Sequence, residues 1–501
     1  MYKVIFPKIQ NKFSSGNKNN EKMSIKVRKT IQTVTKLLYL CKLKNINLMA
    51  TIKPTIPKGT RDFLPVEMIR RNYIFGVLRS IFESHGYLPI ETPALENLST
   101  LMGKYGEEGD RLLFKILNSG DFKKDVDFSE ENTNILATKL CEKGLRYDLT
   151  VPFARFVVQH QNDITIPFKR YQMQPVWRAD RPQKGRYREF YQCDIDIIGS
   201  NSLLNEAELI QMTDEIFAKF KINVVIKLNN RKILSGLAEI SGAADKVTDI
   251  CTAIDKLDKI GKEKVCEELI ERGISQETLS KLSPCFELTG STDEKLEKLS
   301  QLFANSEIGQ QGIAEIKDTL SYLTNFKMNS EVELDITLAR GLNYYTGAIF
   351  EVKAKDVEIG SISGGGRYDN LTGIFGLKNM SGVGISYGAE RIYDVLEELN
   401  LFPDNINTPV KALFLNFGEE TIAYSLKNLQ TLRKAGVACE LYPDNVKIGK
   451  QMTYANNKRI PYVIMAGSDE MKENVLTLKD MNTGEQKKMS IADITLTIAD
   501  Y

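Results

Sequence analysis

An arginine and two tyrosines lie at a glycine-punctuated bend late in the chain. Residues 338–352 read LARGLNYYTGAIFEV, with apolar and polar residues alternating into Leu338 and again from Ala348. This pattern predicts two short strands joined across the segment that holds Arg340, Tyr344 and Tyr345. An arginine fixed by strand geometry can bind an anion with its fork of donors, and a tyrosine offers a flat face and a hydroxyl. The stretch therefore fits a site for a charged ligand.

Two further glycine runs follow this bend. Residues 363–369 read SGGGRYD, a run along which only backbone would approach a ligand. Residues 382–391 read GVGISYGAER and lead into a predicted helix, Ile392 to Leu399. Taken singly, each run is more often a tight turn than a binding loop. Their order and proximity to Arg340 favour a shared site.

A basic hairpin is predicted in the first half of the chain. Two alternating strands, Lys169–Arg178 and Glu189–Ile198, flank a loop at 179–188. Such a loop fits a phosphate or RNA contact, although many basic loops are only solvated. Its cations are Arg181, Lys184, Arg186 and Arg188.

The return strand of this hairpin places three polar side chains on one face, since every second residue shares a face. They are Gln192, Asp194 and Asp196. A buried carboxylate is costly without a partner, so Asp196 needs a cation or an N–H donor if this face is inside.

The run LRYDLTVP at 145–152 offers another acidic group. Alternation predicts a strand with Arg146, Asp148 and Thr150 on one face. Such a face is either plain exposed surface or a place where a carboxylate and a hydroxyl receive an ammonium group.

Composition limits the remaining possibilities. The chain has 501 residues, 42% of them hydrophobic, with seven scattered cysteines and two histidines. A His/Cys metal site is therefore not expected, and no apolar run has the length that spans a bilayer. Residues 1–48 carry ten lysines and Arg28 against Glu21, a net +10, so the remainder carries −8 of the overall +2. Any nucleic-acid surface must be a local basic patch.

The elements around these runs suggest several domains. A helix from Val66 to about His85 ends at Gly86 and precedes a strand, Tyr87–Thr92. Glu206–Phe220 is a further helix and Asn223–Leu228 a strand. We predict a catalytic domain from 49–228 and 330–402, a helical insertion at 229–329, and a small α/β unit with a mostly parallel sheet at 408–501.

Together these runs resemble the histidyl-tRNA synthetases, a family of class II aminoacyl-tRNA synthetases. RGLNYYTG and SGGGRYD are similar to the histidine-specific signatures, and GVGISYGAER to class II motif 3. Residues 177–190 resemble motif 2, residues 66–93 motif 1, and PKGTRDFLP the opening of the family. The resemblance implies an α+β catalytic domain, with an antiparallel sheet flanked by helices, a helical insertion and a C-terminal α/β anticodon-binding domain.

The resemblance also implies an activity and a set of site residues. The chain would join L-histidine to ATP as histidyl-adenylate and pass it to the 3′ end of tRNA(His), with Mg²⁺ on the pyrophosphate oxygens. Arg178 and Arg340 would be catalytic and, with Arg186 and Arg391, would bind ATP. Arg181 and Gln183 would contact the tRNA acceptor end. The histidine ligands would be Asp148, Thr150, Gln192, Asp196, Tyr344 and Tyr345. A homodimer built through motif 1 and a cytoplasmic location would follow.

Two positions depart from the family pattern, and some alternatives remain open. Asp180 stands where many class II members have glutamate, and Asn343 where most relatives have aspartate. A regulatory paralogue of a histidine-biosynthetic phosphoribosyltransferase would lack the signature arginines and the anticodon domain. A tRNA sensor beside a kinase would show kinase signatures. Residues 1–48 are a targeting peptide, a lysine-rich arm that adds tRNA affinity, or a segment outside the working protein, which would then start at Met49.

Overall fold

The computed structural model describes residues 53–124, 126–282, 286, 288–339, 345–403, 406 and 410–499. The chain separates into two compact units at the Pro57–Lys58 bond, and all that follows concerns the second unit. The three interpretations of residues 1–48 lie outside the described part. None of the described helices has the length and apolar character needed to cross a membrane.

The strands, in chain order, are β1 (Leu88–Pro89), β2 (Leu95–Asn97), β3 (Lys115–Ile116), β4 (Lys143–Leu145), β5 (Phe168–Trp177), β6 (Glu189–Ile198), β7 (Val224–Asn230), β8 (Glu331–Leu334), β9 (Ala348–Ala354), β10 (Ser363–Tyr368), β11 (Gly382–Gly388), β12 (Ala412–Phe414), β13 (Cys439–Leu441), β14 (Tyr462–Met465), β15 (Leu476–Asp480) and β16 (Gln486–Met489).

The α-helices are α1 (Pro65–Ser84), α2 (Leu98–Leu101), α3 (Gly106–Leu112), α4 (Thr133–Leu140), α5 (Thr150–Gln159), α6 (Leu204–Phe220), α7 (Arg231–Ile240), α8 (Val247–Ile254), α9 (Leu257–Ile260), α10 (Lys262–Glu271), α11 (Gln276–Leu282), α12 (Thr292–Leu302), α13 (Glu307–Leu323), α14 (Ala389–Glu398), α15 (Glu419–Lys434), α16 (Ile448–Asn457), α17 (Ser468–Glu473) and α18 (Ile491–Ala499).

An eight-stranded sheet in the order β1-β5-β6-β11-β10-β9-β7-β8 forms the centre of the catalytic domain. In this order, every pairing from β5 to β7 is antiparallel. The outermost strands, β1 and β8, pair in parallel with their neighbours β5 and β7. Helices α1 and α6 cover one face, where Phe82 of α1 and Phe217 of α6 both pack against Tyr387 of β11. The predicted fold class, an antiparallel sheet flanked by helices, is confirmed.

The opposite face of this sheet is polar because alternation along each strand puts the other residues there. Tyr171, Ile195 and Ile385 lie side by side on the helix-covered face, since they are direct partners on β5, β6 and β11. The residues one step further along each strand must then lie on the other face. This second face, which we call the polar face, carries most of the predicted site residues.

Three predicted strands are wrong in extent, and the first, expected at Tyr87–Thr92, covers only Leu88–Pro89. The run at 145–152 is a strand only to Leu145, and helix α5 begins at Thr150. Asp148 accepts a hydrogen bond from the Val151 amide, and Pro152 falls in the first helical turn, where its missing N–H costs nothing. The strand expected to reach Leu338 ends at Leu334, because the Asp335 carboxylate accepts from the Thr337 amide and turns the chain.

The insertion at 229–329 is helical, as predicted, with helices α7 to α13. Its two main helices touch closely, because a Cβ on Gly236 of α7 would lie 2.7 Å from the Cα of Gly309 of α13. Their buried side chains continue the core of the central sheet. The chain returns to the sheet through Asp214 of α6, which accepts from the amides of Asn329 and Ser330. The domain boundaries themselves stay a prediction.

The predicted C-terminal α/β domain has a five-stranded sheet in the order β13-β12-β14-β15-β16. Strand β12 pairs in parallel with β13 and β14, but β14–β15 and β15–β16 are antiparallel. The expectation of a mostly parallel sheet is therefore wrong. The last two strands form a hairpin at 480–486, where Gly484 has a φ of +79° that favours glycine.

Candidate active site

Three residue pairs face each other across strands β5 and β6 on the polar face. Arg170 pairs with Asp196, Gln172 with Asp194, and Gln174 with Gln192. Only the β6 member of each pair was predicted from the sequence as a site residue or as part of the polar row. A signal for the other three was present, because Arg170, Gln172 and Gln174 alternate along the predicted strand Lys169–Arg178.

Small residues on β11 and β10 make room for these side chains. Gly384 is the β11 partner of Asp196, and a Cβ there would lie 2.1 Å from the Asp196 Oδ1. A Cβ on Gly366 of β10 would lie 2.9 Å from the Tyr345 ring. These two glycines therefore admit protein side chains, and the SGGGRYD run forms an interior strand of the sheet.

Asp196 is buried and held at both oxygens. The Tyr368 hydroxyl donates to Oδ1 at 2.6 Å, and an Arg170 guanidinium nitrogen lies 2.6 Å from Oδ2. Arg170 is itself fully buried, with its guanidinium 4.3 Å above the Phe153 ring. Burial raises the pKa of Asp196 to about 6, although Arg170 and Tyr368 both oppose the shift.

Asp194 is also buried but is only partly satisfied. The Ser386 hydroxyl interacts with its carboxylate and accepts from the Gln192 side chain at 3.0 Å. Within the described part of the chain, neither Asp194 Oδ1 nor Gln192 Oε1 has a hydrogen-bond partner. Burial raises the pKa of Asp194 to about 7, opposed by Arg170 and assisted by the neighbouring Asp196.

Arg178 and Asp148 meet at the motif 2 end of the polar face. The Arg178 guanidinium lies 4.2 Å above the Tyr147 ring, and its Nε donates to the Tyr147 carbonyl at 3.1 Å. Asp148 accepts from the Tyr105 hydroxyl at 3.0 Å, and burial raises its pKa against the charge of Arg178. Thr150 follows as the first residue of α5.

Arg146 lies beneath this group and is buried, with 1% of the residue exposed. It donates to the carbonyls of Thr92 and Pro175 and to the Gln174 side chain. Burial lowers the pKa of Arg146 to about 10. Arg146 and Asp148 are both buried, so neither lies on an exposed strand face, which was one of the two readings that alternation left open. Through its hydrogen bonds, Arg146 links the strands below the site.

The motif 2 loop closes on itself and on the motif 3 arginine. Gln183 and Arg186 form a two-way backbone bridge around Gly185, whose φ is +69°. Arg391 donates from Nε to the Gly185 carbonyl at 2.9 Å and from a terminal nitrogen to the Ser361 carbonyl at 2.5 Å. The two predicted ATP-binding segments are therefore in direct contact.

The polar side chains of this loop differ in their exposure and in their partners. Arg186 is exposed and lies 3.4 Å from the carboxylate of the buried Asp180. Arg181 and Gln183 are exposed. Lys184 pairs with Glu398 of α14 at 2.9 Å, so this lysine is held by protein.

A buried ion pair that the sequence analysis missed joins three of the motifs. Glu390, in motif 3, accepts from Arg71 of α1 at 2.8 Å and from the Tyr191 amide of β6 at 3.0 Å. The Arg71 guanidinium also lies 4.1 Å above the Phe63 ring. Nothing in the local sequence pairs residues that are this far apart along the chain.

Part of the signature around the bend is not described. Arg340, Asn343 and Tyr344 lie outside the described residues, so their predicted roles stay predictions. Tyr345 is half-buried, with its ring against Gly366. The next residue, Thr346, donates its amide to the Arg367 carbonyl at 2.8 Å. Tyr345 is thereby joined to strand β10 and to the polar face.

This architecture is the class II aminoacyl-tRNA synthetase fold, with motifs 2 and 3 meeting over an antiparallel sheet. A family profile described as histidyl-tRNA synthetase matches residues 139–392, and one described as anticodon binding domain matches residues 411–500.

Close relatives agree with both profiles. The chain is 62% identical to a histidine–tRNA ligase of Phocaeicola vulgatus, over 87% of this chain and 96% of that protein. A histidine–tRNA ligase of Porphyromonas gingivalis is 58% identical, over 89% and 99%. The crystal structure of histidyl-tRNA synthetase from Nostoc sp. PCC 7120 superposes with a TM-score of 0.76 at 33% identity, over 90% of this chain and all of that one. The chain belongs to the histidyl-tRNA synthetase family, and the aminoacyl-tRNA ligase function predicted from the sequence is confirmed.

Proposed function

We propose that the polar face binds histidine and that the arginines at its motif 2 end bind ATP. The observation that supports this assignment is that the buried Asp148 carboxylate feels the charges of both Arg178 and Arg170, and Arg170 belongs to the row of buried polar side chains on β5 and β6. The histidine carboxylate attacks the α-phosphorus of ATP, which gives histidyl-adenylate and releases pyrophosphate. A terminal ribose hydroxyl of tRNA(His) then attacks the acyl carbon, and AMP leaves.

Positioning and charge neutralisation supply the rate in this mechanism, because neither step needs a covalent bond to the protein. Arg178 is held by Tyr147 with its terminal nitrogens available for the α-phosphate. Arg391 and Arg186 stand on either side of the loop turn, where they would neutralise the distal phosphates. Arg340 is assigned to the α-phosphate from the family signature alone.

Histidine would lie with its amino group toward Asp148 and Thr150 and its ring along β6. Asp148 is buried, so an ammonium group replaces the water that this carboxylate has lost. Gln192, Asp196, Tyr344 and Tyr345 complete the proposed pocket. A pocket built to hydrogen-bond a polar ring rejects apolar isosteres strongly, so the reaction needs no separate editing site.

The tRNA and metal assignments extend this proposal. Arg181 and Gln183 are exposed on the motif 2 loop, where they can reach the acceptor end. ATP enters as its Mg²⁺ complex, with the metal carried mainly by phosphate oxygens and water.

We also propose a cytoplasmic homodimer. Leu64, Val66 and Met68 are exposed at the start of α1, the motif 1 helix, and Leu88 is exposed just after it. An apolar group of this kind on a motif 1 helix fits a subunit interface. The five cysteines of the described part are free, which suits a reducing compartment. Light scattering of the purified protein tests the dimer, which a monomeric mass would contradict.

Histidine-dependent ATP–pyrophosphate exchange without tRNA tests the central proposal. The wild type should exchange with histidine alone among the amino acids, and Arg178→Ala and Arg340→Ala should each lower kcat by about 100-fold or more. Arg181→Ala is the matched control from the same loop. It should keep exchange and lose only transfer to tRNA(His). A wild type that binds histidine without exchange would be a regulatory relative and would refute the assignment.

A further inference from the structure

Residues 59–63, within the run PKGTRDFLP, lie against the motif 2 loop, and we call them the opening segment. The Arg188 amide donates to the Gly59 carbonyl at 2.9 Å, and the Arg188 Nε donates to the Asp180 carbonyl at 3.0 Å. Arg188 therefore links one end of the loop both to its other end and to the opening segment. The packing is close, because a Cβ on Gly59 would lie 2.8 Å from the Arg188 Cγ and 2.9 Å from the Pro182 ring.

A second contact joins the opening segment to the same loop. The Arg61 guanidinium lies 3.7 Å from the centroid of the Tyr187 ring, which is within the range of a cation–π interaction. Asp394 of α14 belongs to the same group, since its Oδ2 is buried without a hydrogen-bond partner among the described residues. Burial raises the pKa of Asp394, and the charge of Arg61 is the main effect that opposes this shift. Arg61 is thus the cation shared by a ring of the motif 2 loop and an acid of the helix after motif 3.

The opening segment also connects to motif 3 itself. The ring of its last residue, Phe63, lies 4.1 Å from the Arg71 guanidinium, and Arg71 pairs with Glu390. Glu390 directly precedes Arg391, which donates to the Gly185 carbonyl of the loop. Both proposed ATP-binding segments are therefore connected to the opening segment as well as to each other.

We infer that the opening segment holds the motif 2 loop in position for ATP, with Arg61 as its positioning residue. This inference rests on the proposed function, because it takes the loop and Arg391 as part of the ATP site. Neither Gly59 nor Arg61 is buried, so their contacts act on the loop more than on the core of the domain. A loop that is held before ATP arrives loses less freedom on binding, and a displacement of about 1 Å at such a site can cost about 100-fold in rate.

The kinetics of ATP–pyrophosphate exchange test the role of Arg61. Arg61→Ala should raise the KM for ATP by about 5- to 30-fold, because the loop loses its cation–π contact. The KM for histidine should stay within about 2-fold of the wild-type value, because the proposed histidine ligands lie on the sheet. Arg61→Lys keeps a cation above the Tyr187 ring and should recover most of the loss. Lys58→Ala removes an exposed cation next to the segment and is the matched control, with an unchanged KM for ATP.

Gly59→Ala tests the same role through the backbone, and Gly86→Ala is its matched control. Both glycines have left-handed φ values, +88° and +80°, so alanine is strained to a similar degree at either position. Only the methyl group at Gly59 would meet the loop, because nothing lies within 4 Å of a Cβ added to Gly86. Gly59→Ala should therefore raise the KM for ATP by about 10-fold or more, and Gly86→Ala should leave it unchanged.

Two results would overturn the inference. One is a KM for ATP within about 2-fold of the wild-type value in Arg61→Ala, or in Gly59→Ala once thermal denaturation shows that this variant is folded. The other is a parallel rise of the KM values for histidine and ATP, which would indicate a general loss of structure. If Gly59→Ala does not fold, Arg61→Ala and Arg61→Lys carry the comparison alone. Either result leaves the proposed function standing as long as the wild type exchanges with histidine, and a wild type without that exchange would refute both.

Discussion

Two buried arginine–carboxylate clusters lie on the central sheet and differ in how completely the protein satisfies them. In the first, Arg367 of β10 donates to both oxygens of Glu206 at 2.5 and 2.6 Å and to the Ser381 hydroxyl at 2.6 Å. The carbonyls of Ser200 and Ser202 accept its remaining donors. In the second, Arg170 and Asp196 form an ion pair at 2.6 Å, but within the described part of the chain the Asp194 Oδ1 and the Arg170 Nε have no hydrogen-bond partner.

This difference separates a cluster whose polar atoms are all paired from one whose polar atoms are paired only in part. A buried ion pair with every donor and acceptor used has nothing to offer a ligand, and breaking it costs stability. In the second cluster Asp194 Oδ1 and two Arg170 nitrogens have no hydrogen-bond partner among the described residues. Both contain a signature residue, Arg367 in SGGGRYD and Asp196 in the motif 2 return strand, so the sequence motif alone does not tell the two apart.

The largest expected effect is on the satisfied cluster. Arg367→Met should lower the free energy of unfolding by about 4 kcal/mol, because Glu206 would remain buried without its partner. Denaturant titration measures the loss. The double variant Glu206→Met/Arg367→Met should lose less than the single variant, since no lone charge stays behind. A large rise in the KM for histidine at conditions where Arg367→Met is folded would contradict a structural role.

Gly384→Ala should lower the free energy of unfolding by about 3 kcal/mol. The added methyl group would overlap the Asp196 carboxylate and the Ile195 carbonyl. Gly76→Ala is the matched control on the exposed side of α1, where nothing lies within 4 Å of the added carbon. It should stabilise by up to about 1 kcal/mol. Equal thermal stability of Gly384→Ala and wild type would refute this packing.

The pH dependence of stability should also differ between the wild type and Asp194→Asn. The folded pKa of Asp194, about 7, lies above the ordinary aspartate value of 3.8. The folded state therefore holds a proton that the unfolded state has lost, and this stabilisation disappears as the pH rises toward 7. From pH 5 to 8 the ligand-free wild type should lose roughly 2–3 kcal/mol more than Asp194→Asn. Parallel curves would contradict the raised pKa.

The smallest expected effect distinguishes two buried tyrosines. Tyr368→Phe removes a donor to the Asp196 carboxylate and should cost about 2 kcal/mol. Tyr387→Phe removes a bond to the neutral Thr213 hydroxyl on the other face of the same sheet and should cost about 1 kcal/mol. Chemical denaturation of both variants gives the comparison. An equal or reversed order would count against an ionised Asp196.

The local patterns predicted much of this structure. Alternation gave β5 and β6 to within one residue, and the period of the motif 1 run gave α1. The motif resemblance gave the fold class. Pairing across the sheet was beyond local patterns, because the partners of Asp196 come from Arg170, Tyr368 and Gly384 on three other strands. Alternation placed Asp194 on the same face as Asp196, as observed, but only the structure shows that its Oδ1 has no hydrogen-bond partner among the described residues.

At helix α5 a local pattern predicted the wrong element, a strand instead of a helix. The alternation at 145–152 was real, yet the Asp148 side chain bonded to the Val151 amide and a helix began. Side chains of aspartate compete with strand formation in this way, and the period of a short run does not reveal it.

The pairing of β6 with β11 also determines when the central sheet can form during synthesis of the chain. Asp196 and its partner Gly384 are about 190 residues apart, so a ribosome adding about 5–20 residues per second needs roughly 10–40 s to supply the second strand. During that interval the β6 edge of the β5–β6 hairpin lacks its partner strand β11, and Asp194 and Asp196 lie next to this open edge. An unpaired strand edge is prone to mispairing, so slower translation of the insertion would lengthen the period of that risk.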